Sequence, residues 1–198
     1  MRVSRDQVLE NKRTILAAAG RLFRERGFES VTVAEIMKSA GLTHGGFYGY
    51  FNSKDDLIAQ ALADVLESSE GLPTELMAFA DRYLSTTHRD NFAIGCLFAA
   101  LSSETIHQSG AVRAAMTAGL KQRIGYLSEI APGPDKRRRR RAAIGTWAAM
   151  VGALILARMT NDSELSDEIL NETHAWLAAQ NRKKTKTRRG QMVSRVIG

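Results

Sequence analysis

The sequence predicts an all-α protein of about nine helices. Apolar residues recur at helical spacing along nearly the whole chain, and strand-like alternation of β-branched residues is confined to the short SVTV at 30–33. The three prolines, at 73, 132 and 134, fall at breaks between the periodic segments. At 44% apolar and 25% charged residues, the 198-residue chain has a globular composition.

The first helix opens at Ser4, which forms a capping box with Gln7, and carries Val8, Ile15, Leu16, Ala19, Leu22 and Phe23 to a stop at Gly27. Thr32 with Glu35 opens a second helix, which holds Val33, Ile36, Met37 and Ala40 and ends at Gly41. Thr43 starts a short third element reaching Phe51. Ser53 with Asp56 repeats the capping pattern for a fourth helix over 53–69, with two acids in its first turn, where the helix dipole favours them. Beyond Gly71 and Pro73, helices are expected over 74–86, 93–108 and 111–131. Pro132-Gly133-Pro134 stops the chain, a long helix follows over 136–160, and a last one over 164–180. Residues 181–198 have little to bury and are expected to be disordered.

Charge divides the chain differently from hydrophobicity. Of the net +7, Met1–Lys54 contributes nine basic and five acidic residues, 55–180 twelve basic and sixteen acidic, and 181–198 seven basic and none acidic. A basic head, an acidic body and a basic tail follow one another. No uninterrupted apolar run reaches the ~20 residues of a membrane helix, and MRVSRDQVLE has no apolar signal core. The single cysteine, Cys96, forms no intramolecular disulfide and agrees with a reducing compartment, so a cytoplasmic protein without membrane contact is expected. The chain has no H-E-x-x-H, G-x-S-x-G, G-x-x-x-x-G-K or dinucleotide fingerprint, and its histidines, 44, 88, 107 and 174, lack metal-ligand spacing. No enzyme, no cofactor and no metal are expected.

Two short helices joined by Ala40, Gly41 and Leu42 have helix-turn-helix spacing, in which the second helix enters the DNA major groove. That second element, THGGFYGYF, is a poor helix former: Gly45, Gly46 and Gly49 each cost about 1 kcal/mol relative to Ala. Phe47 and Phe51, four residues apart, can pin one face to the first helix, while Gly45 and Gly46 leave no side chain between backbone and a ligand. Tyr48 and Tyr50 can donate to phosphates, Lys54 adds charge beside a helix N-terminus, and His44 can read a base edge or a phosphate.

The run from Thr32 to Leu57, TVAEIMKSAGLTHGGFYGYFNSKDDL, resembles the N-terminal signature of the tetracycline-repressor (TetR) family of bacterial transcription regulators. The resemblance implies an all-α dimer that binds double-stranded DNA at a palindromic operator. It implies that Thr32 and Tyr48 bind phosphate, that Thr43, His44, Gly45 and Gly46 face bases, that Lys54 anchors the backbone and that Tyr50 adds a contact. Position 44 is often a more basic or amide residue in relatives, and two glycines follow it here, so side-chain readout is expected to be sparse and DNA shape to carry part of the specificity. The domain division expected is a DNA-binding head over 1–54, a ligand-binding and dimerisation domain over 55–180, and the tail.

The resemblance also implies that the C-terminal helices enclose a small-molecule effector and that the last two pair across a dimer axis. Tyr83, Cys96, His107, Tyr126 and Trp147 are candidate ligand residues, although the tyrosines and His107 equally suit satisfied polar positions at helix edges. The stretch from Asn91 to Glu104 resembles a helix lying along the ligand cavity in many of these regulators, which makes Cys96 either an electrophile sensor or a small buried hydrophobe. Small residues over 142–153 allow close helix approach, and Ala149, Gly152, Ala153 and Trp176 are candidate dimer contacts, with intramolecular packing as their other reading. The six cations Lys136–Arg141 suit a solvated face or an anion-binding one. A homodimeric repressor released by a small-molecule effector is expected. The alternatives are a small-molecule binding or carrier protein with a non-functional DNA head, or a cysteine-based sensor.

Overall fold

In a computed structural model, which describes residues 4–67 and 71–194, the chain forms nine α-helices and one 3-10 helix, with no strand among those residues. They are α1 (Arg5–Arg26), α2 (Val33–Ser39), the 3-10 helix (His44–Gly49), α3 (Lys54–Glu67), α4 (Leu76–Tyr83), α5 (Thr86–Asp90), α6 (Leu97–Thr105), α7 (Gly110–Ile130), α8 (Lys136–Met159) and α9 (Ser163–Ser194).

The predicted starts are capped as their sequences require. Ser4 Oγ accepts the Gln7 N–H at 3.2 Å, and Ser53 Oγ accepts that of Asp56 at 3.0 Å. Thr32 and Glu35 form the full reciprocal box. α2 ends in a Schellman turn: Leu42 N–H bonds the Met37 carbonyl, Gly41 N–H bonds that of Lys38, and Gly41 takes the positive φ of +72° that such a turn needs.

Four boundaries differ from the sequence reading. The third element is 3-10 rather than α, as three glycines in six residues would suggest. The segment expected as one helix over 74–86 breaks after Tyr83, and Ser85 Oγ caps the restart by accepting the His88 N–H at 3.1 Å. The helix expected over 93–108 contracts to Leu97–Thr105. α9 runs past Gln180 to Ser194, where disorder was expected: Lys, Arg, Gln and Met are good helix formers, no proline intervenes, and of glycines only Gly190 opposes it. Residues 68–69 of the fourth helix and 195–198 of the tail lie outside the described residues.

The chain packs as two compact units, one holding the described residues of 1–70 with 91–121, the other those of 71–90 with 122–198. The first unit thus holds α3, α6 and the first half of α7 together with the segment 4–54. In this first unit Ile15, Ala19, Phe23, Phe28, Ile36, Met37, Leu57 and Leu62 are almost fully buried. Gly20 lets α1 approach α3 closely, since a Cβ there would lie 2.8 Å from Val65 Cγ2. α6 belongs here through polar anchors: Arg24 Nε donates to the Ala93 carbonyl at 2.7 Å, Gln108 Nε2 to Glu29 Oε1 at 3.2 Å, and the Phe28 N–H to Glu104 Oε2 at 2.7 Å.

The second unit centres on α8 and α9, with Met150, Ala153, Leu154, Leu170 and Leu177 buried. By length and composition α8 could cross a membrane, but its buried face packs within this unit as a core helix. Arg89 ties α5 to α9 by donating to Asp167 Oδ1 and Ser166 Oγ, and both acids beside it, Asp90 and Asp167, hold the guanidinium firmly ionised. Arg158 of α8 donates to the His88 and Arg89 carbonyls, each at 2.9 Å.

Candidate functional site

The exposed face of the first unit is built on two buried rings. Phe47 and Phe51 are each 2% exposed and stack 5.6 Å apart; Lys12 of α1 places its ammonium 5.5 Å above Phe51. With these rings anchored, the alternating residues point outward. Tyr48 is 77% exposed, its ring edge-on to Phe47, and its hydroxyl has no partner among the described residues. Thr43, His44 and Gly45 are exposed, and Gly46 is half-buried. A Cβ at Gly45 or Gly49 would meet nothing within 4 Å, so packing within the chain does not require glycine at either position.

Lys54 opens α3, half-buried and with no carboxylate in ion-pair range among the described residues. Tyr50 is more constrained: its hydroxyl accepts from Asn11 Nδ2 at 2.9 Å, which fixes the ring against α1 and leaves its proton to donate. Thr32 is exposed but engaged, its Oγ1 accepting the Glu35 N–H and donating to Glu35 Oε2 at 2.8 Å. Arg26 clamps the same carboxylate at 2.8 Å, and these bonds bring the Glu35 carboxyl down to about 2. Arg26, Glu35 and Thr32 thereby join the end of α1 to the start of α2. The sequence reading missed Asn11, Lys12 and Arg26, which lie on α1 and could be found only as partners in space.

In the second unit three of the five candidate ligand residues come together. Phe79, Tyr83, Tyr126 and Trp147 form one aromatic cluster, with Phe79–Tyr83 stacked at 5.9 Å and Tyr83–Trp147 edge-on at 5.2 Å. Phe79, Tyr83 and Trp147 are buried; Tyr126 is half-buried and donates its hydroxyl to the Pro73 carbonyl, and burial raises its phenol above the ordinary value. His88 packs its ring 4.6 Å from Tyr83 with Nδ1 2.6 Å from the Tyr83 carbonyl, and burial lowers its pKa. Arg123 lies over this cluster. Phe79, Arg123 and His88 were not singled out from sequence, although Phe79–Tyr83 and Arg123–Tyr126 have the spacing of helix neighbours.

Cys96 and His107 belong to the other unit and are not members of the cluster. Cys96 is the N-cap of α6 and half-buried, and burial lowers the pKa of the half-buried Arg24 near it. His107 is exposed just beyond α6. Ala149, Gly152, Ala153 and Trp176, the candidate dimer contacts, share an open groove of about 460 Å³ between α8 and α9, with Leu156 and Ile169 also in its lining. Trp176 is 53% exposed beside Leu156, and Ile155, Met159 and Leu165 are exposed on the same two helices. Within Lys136–Arg141 only Arg138 has an acid in range, Asp135 at 3.7 Å, among the described residues.

Residues 15–61 match the family described as bacterial regulatory proteins, tetR family, and residues 72–173 match the tetracyclin repressor-like C-terminal domain. The HTH-type transcriptional repressor NemR of Escherichia coli K12 is 29% identical over 132 residues, a match spanning 61% of this chain and 66% of that protein's length. An uncharacterized HTH-type transcriptional regulator of Mycobacterium tuberculosis is 25% identical over 181 residues, 84% of this chain and 93% of the relative. Among solved structures, reduced E. coli NemR superposes with a TM-score of 0.68 at 24% identity, covering 85% of this chain and 95% of the other. A TetR transcriptional regulator from Legionella pneumophila gives 0.68 at 19% identity over 91% of this chain and 100% of the other.

Proposed function

Because the chain belongs to the tetR family of bacterial regulatory proteins, we propose that it is a homodimeric repressor that binds a palindromic operator and releases it when a small molecule binds the second unit. The observation that carries the DNA-binding half is the surface around the 3-10 helix. Tyr48 and Lys54 present a hydroxyl and an ammonium without partners among the described residues, and on the same segment Gly45 and Gly49 stay bare where packing would accept a side chain. A backbone kept bare in this way suits close approach to a DNA strand. Tyr48, Lys54 and the hydroxyl proton of Tyr50 serve phosphates; Thr43, His44, Gly45 and Gly46 face base edges. Thr32 contacts phosphate only if its hydroxyl leaves Glu35, so its first role is to cap α2.

The groove on α8 and α9 supports the dimer. Its lining of small residues beside the exposed Trp176 and Leu156 is a face that a second copy can cover, and a two-fold dimer reads a two-fold operator. In the DNA-bound state the two reading elements sit about 34 Å apart, one helical turn of the duplex. Effector binding in the aromatic cluster of the second unit favours a dimer with a different spacing. Gel shift with the DNA upstream of the chain's own gene tests the whole reading: the operator complex should exceed random-duplex affinity by about 10³-fold or more. Equal affinity for any duplex would reduce the protein to a nonspecific binder, and no complex would leave only a small-molecule binding protein.

A further inference from the structure

Arg123 is a half-buried cation that lies over three aromatic rings. Its guanidinium carbon lies 5.7 Å from the Phe79 ring centre, 5.9 Å from that of Tyr126 and 5.6 Å from that of Trp147. Among the described residues it has no hydrogen bond and no carboxylate in ion-pair range. Cation–π contact holds such a group over the rings, yet it leaves the five N–H donors of the guanidinium fork without an acceptor among the described residues in a partly desolvated place. Two further cations, Arg158 and Arg82, lie close enough to His88 at the edge of the cluster to oppose its protonation. Aromatic walls, a planar fork of donors and a positive field match one kind of molecule.

We propose that the second unit binds a small planar carboxylic acid, an aryl or arylacrylic acid in its anionic form, through Arg123. The proposal rests on the reading of this cluster as the effector site. The ligand carboxylate takes the two parallel N–H donors of the fork, and the ligand ring takes over the place against Phe79 and Trp147 that the guanidinium fills in its absence. Arg123 is thus both the occupant of the empty site and the recognition group of the filled one. A neutral amide of the same shape gains the ring contacts but not the charge-assisted pair, and a cation is repelled.

The test is calorimetric titration of the full-length protein with benzoate, salicylate and cinnamate, each against its own carboxamide. At least one acid should bind, about tenfold or more tighter than its amide. Arg123→Gln should bring that acid to the level of the amide, and Arg123→Lys should keep part of the preference. In a Trp176→Phe background, where Trp147 is the only tryptophan, the acid should change the emission at concentrations about tenfold or more below those at which its amide does. The proposal is overturned if no acid binds better than its amide, or if Arg123→Gln keeps the preference. If Arg123→Gln does not fold, the acid-to-amide ratio of the wild type and the Trp147 signal decide. Gel shift separates this site from the wider reading: an acid that binds but never loosens the operator complex keeps the acid site and removes its effector role, whereas failure of the wild type to bind operator removes the regulator reading and leaves the acid-to-amide comparison to stand alone.

Discussion

The Glu104 carboxylate, from α6, accepts the backbone N–H of Phe28 at 2.7 Å, two residues past the end of α1. Gly27 makes this possible in two ways. It takes a φ of +82°, and any Cβ there would overlap the carboxylate. The turn that aims α2 and the 3-10 helix is therefore set by a residue 76 positions away in sequence. Glu104→Ala should destabilise the protein by about 1–2 kcal/mol, the cost of leaving a partly buried N–H unpaired, and Glu104→Gln, which keeps an acceptor, by less. Urea unfolding of the three proteins checks the order; equal stability would mean that water replaces the carboxylate without loss.

Phosphate contacts and base contacts should separate under mutation. Tyr48→Phe and Lys54→Ala should weaken binding to every duplex, with Lys54→Ala also lowering the slope of affinity against salt by about one unit. His44→Ala should instead change the preference among operator variants. Gel shifts over a salt series and an operator-variant panel measure both. A uniform loss across all variants in His44→Ala would remove its base-reading role.

Acid should loosen the junction of α1 and α2. The Glu35 carboxyl sits at about 2 in the folded protein because Arg26 and the Thr32 cap bond its ionised form, against an ordinary 4.5. Between these values the unfolded chain binds more protons than the folded one. The stabilisation is thus complete above pH 4.5 and lost as pH falls toward 2. Thermal unfolding from pH 6 to pH 2 should show a shallower decline for Glu35→Gln than for the wild type; parallel curves would mean that the cap does not survive in solution.

Gly152 offers a clean test of the proposed dimer. A Cβ there meets nothing within 4 Å in the protomer, so Gly152→Leu should leave the single chain intact while filling the α8–α9 groove that a second copy would cover. Sedimentation should show a monomer for the variant and a dimer for the wild type, and operator affinity should fall with dimerisation. An unchanged dimer would place the interface elsewhere.

The helices and their caps were legible in the sequence because they are local: Ser4, Thr32 and Ser53 each meet their partners three residues on. The proposed reading surface could be named from sequence for the same reason, since Thr43 to Lys54 is one continuous stretch. What stayed hidden depends on contacts between distant segments. Glu104 looked like an ordinary helical acid until it reached Phe28, and Arg123 like a solvated cation until three rings from α4, α7 and α8 enclosed it. Cys96 entered the ligand candidates through the resemblance of 91–104 to a cavity helix and His107 as a residue that could line a cavity, and neither reading records that 91–121 packs with the first unit.

The 3-10 helix divides its labour between two sets of residues. Phe47 and Phe51 hold it in place, while Thr43, His44 and Gly45 face outward and add nothing to the core. The residues that hold this element and those proposed to face DNA are thus separate positions. On that proposal, changes at 43, 44 and 45 alter operator preference without first eroding stability, which leaves this surface open to rapid divergence after gene duplication.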